Sequence, residues 1–292
     1  MTAYVLAGLD GSVESTTAAG WAADQAVRRR LALRLVHVET WLDDAHAGAS
    51  MPVDVRTLTT RMLARTQDAL RTTHPGLEVR ADLLGGGPVV DVLVDAAADP
   101  EAELLVLGSR GVGGFEGLVV GSVGLGVTAR CPIPTALVRA HEAGRRPDPD
   151  GAPVVLGVDT HAPSAEVVEY AFREAARRGA VLRAVHGWTP PPVWGYAGWV
   201  APQVETEEFR LIEGELLSDA LAGWREKFPE VAVVECSRLA TGAQALVDQS
   251  SDAGVVVVGR RLRHLPLGPR LGPVGHAVLH HAHAPVLVVP HD

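Results

Sequence analysis

The sequence contains the run AYVLAGLD at residues 3–10, and the related run PVVLGVD at residues 153–159. Each is a short apolar segment that ends on an aspartate. Three further pairs of segments match at the same shift of about 150 residues, namely 33–38 with 182–187, 104–108 with 255–259 and 131–138 with 282–289. This period is the size of a domain, whereas solenoid repeats run to about 20–50 residues. We therefore predict two copies of one domain, at 1–141 and 152–292, joined by the polar linker EAGRRPDPDG at 142–151.

Within the first copy, short apolar runs alternate with amphipathic stretches. The predicted strands cover 4–9, 33–38, 78–84, 104–107 and 135–138, and the predicted helices cover 15–30, 52–72, 88–98 and 122–130. Unbroken Val- and Leu-rich strands separated by helices are typical of a parallel sheet that is buried on both faces. The second copy repeats the pattern between residues 154 and 289. The predicted fold class is α/β, with two tandem doubly wound domains of five parallel strands each.

The composition excludes or disfavours several classes of protein. Of the 292 residues, 47% are hydrophobic and 21% are charged, which is typical of a chain with a buried core and excludes wholesale disorder. The formal net charge of −9 disfavours nucleic acid and anionic membranes as partners. No apolar run approaches the roughly 20 residues of a membrane span, so we expect a cytoplasmic protein. The only two cysteines, Cys131 and Cys236, are interpreted as buried small apolar groups.

In an open parallel sheet, ligands bind beyond the carboxyl ends of the strands, where the winding direction reverses. The first predicted strand is followed by Asp10-Gly11-Ser12, and the fourth by the glycine-dense segment GSRGVGGFEGLVVGS at 108–122. Glycines tolerate positive φ and let a ligand touch bare amides, and a helix N-terminus also favours anions. The chain has a single lysine, Lys227, and no G-x-x-x-x-G-K-[ST] motif, which excludes a P-loop NTPase. The alternative interpretation of the glycine-dense segment is a flexible connector.

The spacing Gly108-x2-Gly111-x9-Gly121-Ser122 resembles the nucleotide-binding pattern G-x2-G-x9-G-[ST] of the universal stress protein family. Asp10 at the end of the first strand, the second strand LVHV at 35–38 and the segment PTALV at 134–138 are similar to that family as well. The resemblance covers both halves, so the whole chain resembles a tandem universal stress protein.

The resemblance implies a 3-2-1-4-5 strand order, as in the adenine nucleotide alpha hydrolase-like fold, and a bound ATP or other adenine nucleotide, with or without magnesium. It implies that Gly8 and Asp10 lie near adenine and ribose, that the backbone of Val38 reads the adenine edge, and that the glycine motif holds ribose and phosphates. The predicted binding residues are Gly8, Asp10, Val38, Gly108, Ser109, Arg110, Gly111, Gly121, Ser122 and Val123. The family also commonly pairs fifth strands across a two-fold axis, which implies pairing of the two copies and self-association, with a homodimer as one form.

The second copy departs from the motif in the segment GRRLRHLPLGPRLGP at 259–273. Gly259 is kept, but Leu262 stands at the position of Gly111, and Gly272-Pro273 replaces Gly121-Ser122. Proline removes one N–H donor together with the serine hydroxyl, and leucine blocks close approach to the backbone. We therefore predict that the second copy binds nucleotide weakly or not at all.

Four further groups of residues have plausible structural roles. His37 and His186 recur in both copies, which favours a shared role in the fold. His276, His280, His281 and His283 are assigned to an amphipathic helix, because the glutamate of H-E-x-x-H is absent. The basic cluster of Arg260, Arg261, Arg263 and Arg270 is interpreted as a solvated face, with contact to a phosphate as the alternative. The aromatic cluster of Trp188, Trp194, Tyr196 and Trp199 is expected to pack over the domain or against a partner subunit.

No arrangement of nucleophile and base, paired catalytic carboxylates or metal ligands is recognisable, so we predict a regulatory nucleotide-binding module of the stress response and no dedicated enzyme. Slow ATP hydrolysis stays compatible with this prediction. One alternative is an interaction scaffold that binds no nucleotide. A second is a nucleotide-dependent enzyme of the ligase or ATP-pyrophosphatase kind, for which Glu116 is the acidic group that can be placed near the phosphates.

Overall fold

The computed structural model describes residues 2–39, 53–111, 120–140, 151–189, 203–262 and 271–292, and for 53–55 and 203–206 it describes the backbone alone. The chain divides into two compact units, Met1–Pro147 and Asp148–Asp292. The predicted linker, apart from Gly151, lies outside the described residues, as do Trp194, Tyr196 and Trp199 of the aromatic cluster. No described helix is long and apolar enough to cross a membrane.

The first unit alternates strands and helices along the chain. Its strands are β1 (Tyr4–Gly8), β2 (Ala32–Val38), β3 (Val79–Leu84), β4 (Ala102–Gly108) and β5 (Thr135–Val138), and its helices are α1 (Val13–Arg29), α2 (Val53–Thr73), α3 (Val89–Ala97) and α4 (Ser122–Thr128). The strands pair in parallel in the order β3-β2-β1-β4-β5. The winding direction therefore reverses between β1 and β4, and the carboxyl ends of those strands flank a crevice.

The sheet of the first unit is buried because its strands are almost wholly apolar. Val5, Leu6, Leu104 and Leu105 are fully buried in the two central strands. Helix α1 covers one face with a run of buried alanines around Trp21, and such small side chains allow a close approach of helix and sheet. Ser12 caps this helix, because its hydroxyl accepts a hydrogen bond from the Ser15 amide.

The second unit repeats this order. Its strands are β6 (Val154–Gly157), β7 (Leu182–Trp188), β8 (Val233–Leu239), β9 (Val255–Arg261) and β10 (Val286–His291), and its helices are α5 (Ala165–Arg178), α6 (Gln203–Lys227), α7 (Gly242–Asp248) and α8 (Pro273–His281). The strands pair in parallel in the order β8-β7-β6-β9-β10. In each unit the strands thus follow the order 3-2-1-4-5, and the predicted fold class is confirmed.

Two predictions about individual side chains are wrong. Cys131 is buried as expected, but Cys236 is half-buried on β8, where its sulfur accepts a hydrogen bond from Arg238 Nε at 3.2 Å. Because β8 lies at an edge of the order given above, its side chains are less covered than those of a central strand. The sequence predicts that Arg260 lies on a solvated face with the other arginines of its cluster, but it is buried within β9.

Candidate functional site

A cavity of about 600 Å³ opens at the carboxyl ends of β1, β2 and β4. All ten residues predicted as the binding set line it, namely Gly8, Asp10, Val38, Gly108, Ser109, Arg110, Gly111, Gly121, Ser122 and Val123. The structure therefore brings together segments that lie as far apart in the sequence as Gly8 and Val123. What these residues bind is taken up below as a proposal.

The apolar wall of the cavity was not predicted. Val36 precedes Val38 by two residues on β2 and so faces the same side of the sheet, while Val89 and Leu93 come from α3. At Gly8 a Cβ atom would lie 3.8 Å from Leu93 and 2.5 Å from the end of Leu107, so glycine keeps this wall open. Alternation along β2 could have identified Val36 from the sequence. The approach of α3 to the sheet depends on tertiary packing and leaves no local signal.

Asp10 serves the fold and the cavity at once. Its Oδ1 atom accepts hydrogen bonds from the Ser12 amide at 2.9 Å and from the Ser12 hydroxyl at 2.6 Å, which supports the cap of α1. Gly11 has φ +88°, a left-handed conformation that lets the chain turn back in this way. The side chain itself is exposed at the mouth of the cavity. A carboxylate held here can accept hydrogen bonds from ligand hydroxyls.

Two of the three described glycines of the motif are needed for close packing. Gly108, Gly111 and Gly121 do not have a positive φ, contrary to the expected reason for glycine. A Cβ atom at Gly108 would lie 2.8 Å from the backbone of Glu14 and Ser15. At Gly111 it would overlap with Asp10 Oδ2, whereas at Gly121 it would have ordinary contacts of 3.8 Å or more. The first two glycines thus position α1 and Asp10 against β4.

Ser109 links three elements behind the cavity. Its amide donates to Val138 O at the end of β5, and its carbonyl accepts from the Gly121 amide, both at 2.8 Å. The Gly121 N–H is therefore used within the protein, which reduces the set of amides expected to face a ligand. Gly121 is the N-cap of α4 and offers no side-chain cap to the first turn of that helix. The amides of Ser122 and Val123 lie in that turn, where N–H groups lack intrahelical acceptors.

Two arginines stand at the same edge of the sheet. Arg110 lines the cavity, and its Nε atom lies 3.6 Å from Glu14 Oε1 in α1. Arg139 directly follows β5 and is half-buried. Burial lowers the pKa of the Arg139 guanidinium below its ordinary value, and the positive charge of Arg110 lowers it further. Arg110 is the one of these two arginines that lines the cavity.

The equivalent crevice of the second unit is more closely packed. A Cβ atom at Gly187, the position of Val38, would lie 2.8 Å from backbone atoms of Thr241 and Gly242 at the start of α7. At Gly157 it would lie 2.9 Å from Leu246, compared with 3.8 Å between Gly8 and Leu93 in the first unit. Helix α7 therefore lies nearer to its sheet than α3 does, and it takes up space that stays open in the first unit.

Arg260 adds to this difference. It stands at the position of Ser109, and the neighbouring Gly259 faces Val167 of α5, so Arg260 points to the opposite face of the sheet. That is the face on which the cavity of the first unit lies, and Arg260 is only 6% exposed. Pro273 occupies the first position of α8, where it provides no N–H. The second unit thus places a buried guanidinium where the first has a small hydroxyl.

The recurrent histidines have matching anchors in the two units. Nδ1 of His37 lies 2.7 Å from Leu9 O, and Nδ1 of His186 lies 3.1 Å from Val158 O. Because a carbonyl only accepts, each Nδ1 carries the proton. These bonds fasten the second strand of each unit to the end of the first, which confirms the predicted role in the fold. His186 also pairs through Nε2 with Glu213 of α6 at 3.1 Å.

The other predicted groups do not form a site among the described residues. His276 and His280 stack on α8 with ring centroids 4.6 Å apart. In the part of the chain that the structure describes, no three His, Cys, Asp or Glu side chains are arranged to hold a metal ion. Trp188 is buried at the end of β7, and Arg261 is exposed on β9. Arg263, Arg270 and Glu116 lie outside the described residues.

Comparison with known proteins settles the family. The family model described as the universal stress protein family matches residues 1–139 and again 152–290. This chain belongs to the universal stress protein family. Universal stress protein Rv2005c of Mycobacterium tuberculosis is 35% identical over 302 residues, covering 97% of this chain and 96% of that protein. Universal stress protein Rv2623 of the same organism is 33% identical, with 97% and 95% covered.

A solved structure extends the comparison to the fold. The crystal structure of a universal stress protein from Archaeoglobus fulgidus has a TM-score of 0.68 and 17% sequence identity, and the match covers 99% of this chain and 98% of that one. At this level of identity the likeness concerns the fold alone. This universal stress protein therefore has the tandem form that its internal repeat predicts.

Proposed function

We propose that this universal stress protein binds ATP or another adenine nucleotide in its first unit, and that it acts as a regulatory binding module of the stress response. The observation that carries the proposal is the cavity at the ends of β1, β2 and β4, which is lined by all ten residues of the predicted binding set. The proposal assigns no dedicated catalysis to the protein. In it, occupancy by the nucleotide is converted into a conformational or oligomeric state.

The lining of the cavity suits the parts of a nucleotide in order. A purine can pack against an apolar wall formed by Val36, Val38, Val89 and Leu93. Val38 is the last residue of β2, where backbone N–H and C=O groups can bind the polar edge of the base. Asp10, which Ser12 and the turn at Gly11 hold in place, can accept hydrogen bonds from ribose hydroxyls.

The phosphates would lie toward the glycine motif. Arg110 contributes a positive charge there, and the amides of Ser122 and Val123 begin α4 beside it. Asp10 is the one carboxylate among the described lining residues, so a magnesium ion would be held mainly by the phosphates themselves. The chain would then need no metal site of its own.

Only the first unit is proposed to bind. In the second unit α7 approaches β7 closely at Gly187, Arg260 is buried on the equivalent face, and Pro273 removes an amide from the first turn of α8. In the second unit, a purine would collide with the backbone of α7. At the equivalent place in the first unit, it would pack against the side chains of Val38 and Val89.

A matched pair of substitutions tests the proposal. Gly121→Val should abolish ATP binding, because its γ-methyl groups enter the space beside Arg110 and Gly111, while the open surroundings of Gly121 should leave the fold intact. Gly272 is the N-cap of α8, and no atom lies within 4 Å of a Cβ placed there, so Gly272→Val is the matched control and should bind like the parent protein. Calorimetric titration with ATP measures both, and circular dichroism verifies folding.

Three results would count against the proposal. If the parent protein shows no binding of ATP, ADP or AMP and releases no adenine nucleotide when it is denatured after purification, the scaffold function is favoured. If Gly121→Val binds ATP as tightly as the parent protein, the glycine motif is not part of the site. Steady-state turnover with an acyl or sulfur acceptor would instead favour the ligase type of enzyme.

A further inference from the structure

The outer side of β8 has no pairing strand among the described residues. The Leu182 amide donates to Ala232 O at 2.9 Å, and the Ala240 amide donates to Trp188 O at 3.0 Å. In a parallel pair, alternate residues of one strand bond to the same neighbour, so the even-numbered residues of β8 bond to β7. The odd-numbered residues direct their N–H and C=O groups away from β7, namely Val233, Glu235, Ser237 and Leu239. Strand β8 thus presents a row of backbone donors and acceptors at the edge of the second unit.

This edge carries exposed apolar side chains, whereas protected sheet edges usually carry exposed charges, prolines or bulges. Val234 and Leu239 are 51% and 55% exposed, and β3, the edge strand of the first unit, has no exposed side chain of this kind. The charge of Glu235 is turned towards α6, because its carboxylate accepts from Ser218 Oγ at 2.5 Å and lies 2.6 Å from Arg225 Nη2. The edge of β8 is therefore suited to pairing with another strand.

The sequence of β8 is complementary to itself when two copies run antiparallel. Cys236 is the central one of the seven residues VVECSRL at 233–239. With Cys236 opposite its own copy, Val233 would lie opposite Leu239, and Glu235 opposite Ser237. These are the residues whose N–H and C=O groups point outward, so each pair can form the two hydrogen bonds of an antiparallel ladder. A pairing centred on Glu235 would instead place two carboxylates directly opposite each other, which is destabilising.

The even-numbered residues fit this arrangement as well. Val234 would lie opposite Arg238 of the other copy, whose aliphatic stem can cover the exposed valine. The two Arg238 guanidinium groups would lie at opposite ends of the paired strands, away from each other. Cys236 and its copy would form a non-hydrogen-bonded pair, in which the Cα atoms are about 4.5 Å apart.

We propose that the outer edge of β8 is an interface for a second copy of this chain, in which the two β8 strands pair antiparallel about Cys236. One strand from each copy buries less surface than a standard interface, so the dimer is weak and forms as the protein concentration rises. The proposal concerns the second unit and does not depend on nucleotide binding in the first. It is therefore tested on the full chain without nucleotide.

Disulfide trapping tests the register. Diamide, which takes up the two thiol hydrogens, should link the parent protein into a dimer through Cys236, because paired Cα atoms at this separation can be bridged. The other cysteine, Cys131, is buried. In the control Val234→Cys/Cys236→Ser the thiol is at a more exposed position, but it lies opposite Arg238 and far from its own copy. This control should form the linked dimer at least about tenfold more slowly than the parent protein.

Sedimentation velocity under reducing conditions tests the interface without a cross-link. Ser237→Pro removes an outward N–H and leaves the bonds to β7 in place, so it should halve the mass of the assembly that the parent protein forms. Ala81→Pro is the matched control, because Ala81 has the equivalent outward position on β3, and it should sediment like the parent. Circular dichroism verifies that both variants fold.

Two results would overturn the proposal. One is an assembly that persists unchanged in folded Ser237→Pro, which would place the contact on another surface. The other is equally fast cross-linking of the parent protein and of Val234→Cys/Cys236→Ser, which would mean random collision of exposed thiols. The trapping experiment uses no proline variant, so it decides the register even where Ser237→Pro fails to fold.

Discussion

At Gly108 and Gly111 the missing side chain makes room for atoms of the protein itself. Gly108 lies against the backbone of Glu14 and Ser15, and Gly111 lies against the carboxylate of Asp10. The spacing of the motif could be read from the sequence, but the reason for glycine could not, because it depends on how closely α1 approaches β4. In the second unit Leu262 occupies the position of Gly111 and is 37% exposed, so the same constraint does not apply there.

A pair of glycine-to-alanine substitutions distinguishes a glycine that is needed for close packing from one that only makes the backbone more flexible. Gly108→Ala should lower the free energy of unfolding by about 1–3 kcal/mol, because its Cβ atom would lie 2.8 Å from the backbone of α1. Gly20→Ala, in the middle of α1 where no atom lies within 4 Å, should raise it by about 0.5–1 kcal/mol. Urea unfolding of the two variants measures both changes, and a Gly108→Ala protein as stable as the parent would refute the packing at this position.

Glu14 offers a residue-scale test of charge at the cavity. Because its carboxylate competes with phosphate for Arg110, Glu14→Gln should tighten ATP binding by about twofold to fivefold. Calorimetric titration with ATP measures this effect. Weaker binding of ATP by Glu14→Gln would mean that Glu14 assists the ligand and does not compete with it.

The first turn of α1 connects a helix cap to the candidate site. Ser12 caps α1 through the Ser15 amide, and its own amide and hydroxyl hold Asp10. Ser164 caps α5 in the second unit through the Val167 amide at 3.3 Å, but no hydrogen bond between Ser164 and Asp159 is found among the described residues. The two caps are therefore equivalent for the helix and differ in their connection to the aspartate.

Ser12→Ala and Ser164→Ala should thus have the same effect on stability and different effects on binding. Each should cost about 1 kcal/mol of the free energy of unfolding. Only Ser12→Ala should weaken nucleotide binding, by a few-fold, because Asp10 loses the hydrogen bond from the Ser12 hydroxyl and is then oriented by the backbone amide alone. Denaturant unfolding and calorimetry on the two variants measure these quantities, and an equal loss of affinity in both variants would contradict the role given to Asp10.

At the level of elements, the positions of strands and helices could be predicted from the sequence, but the distance between a helix and the sheet could not. The predicted strand 135–138 is β5, and the predicted helix at 122–130 begins at the same residue as α4. These segments carry strong local signals, namely continuous apolar runs and a Gly-Ser start. The close approach of α7 to β7 at Gly187 has no such signal, because a single glycine within a strand does not show what lies against it.

At the level of the whole molecule, the duplication gives two copies of one sheet with different crevices. The repeat and the altered motif of the second copy were visible in the sequence. The burial of Arg260 was not, because four arginines within eleven residues are typical of a solvated surface, and only the alternation along β9 places this one inside. The departures from the motif and the close approach of α7 both support the proposal that nucleotide binds in the first unit.

The number of nucleotides bound per chain tests this account most directly. Equilibrium dialysis of the intact protein against labelled ATP should give close to one bound nucleotide per chain at saturation, since the predicted binding set lines an open cavity in the first unit, whereas α7 and Arg260 occupy the equivalent space among the described residues of the second. Two bound nucleotides per chain, or one that persists in Gly121→Val and disappears in Gly272→Val, would contradict the assignment of binding to the first unit.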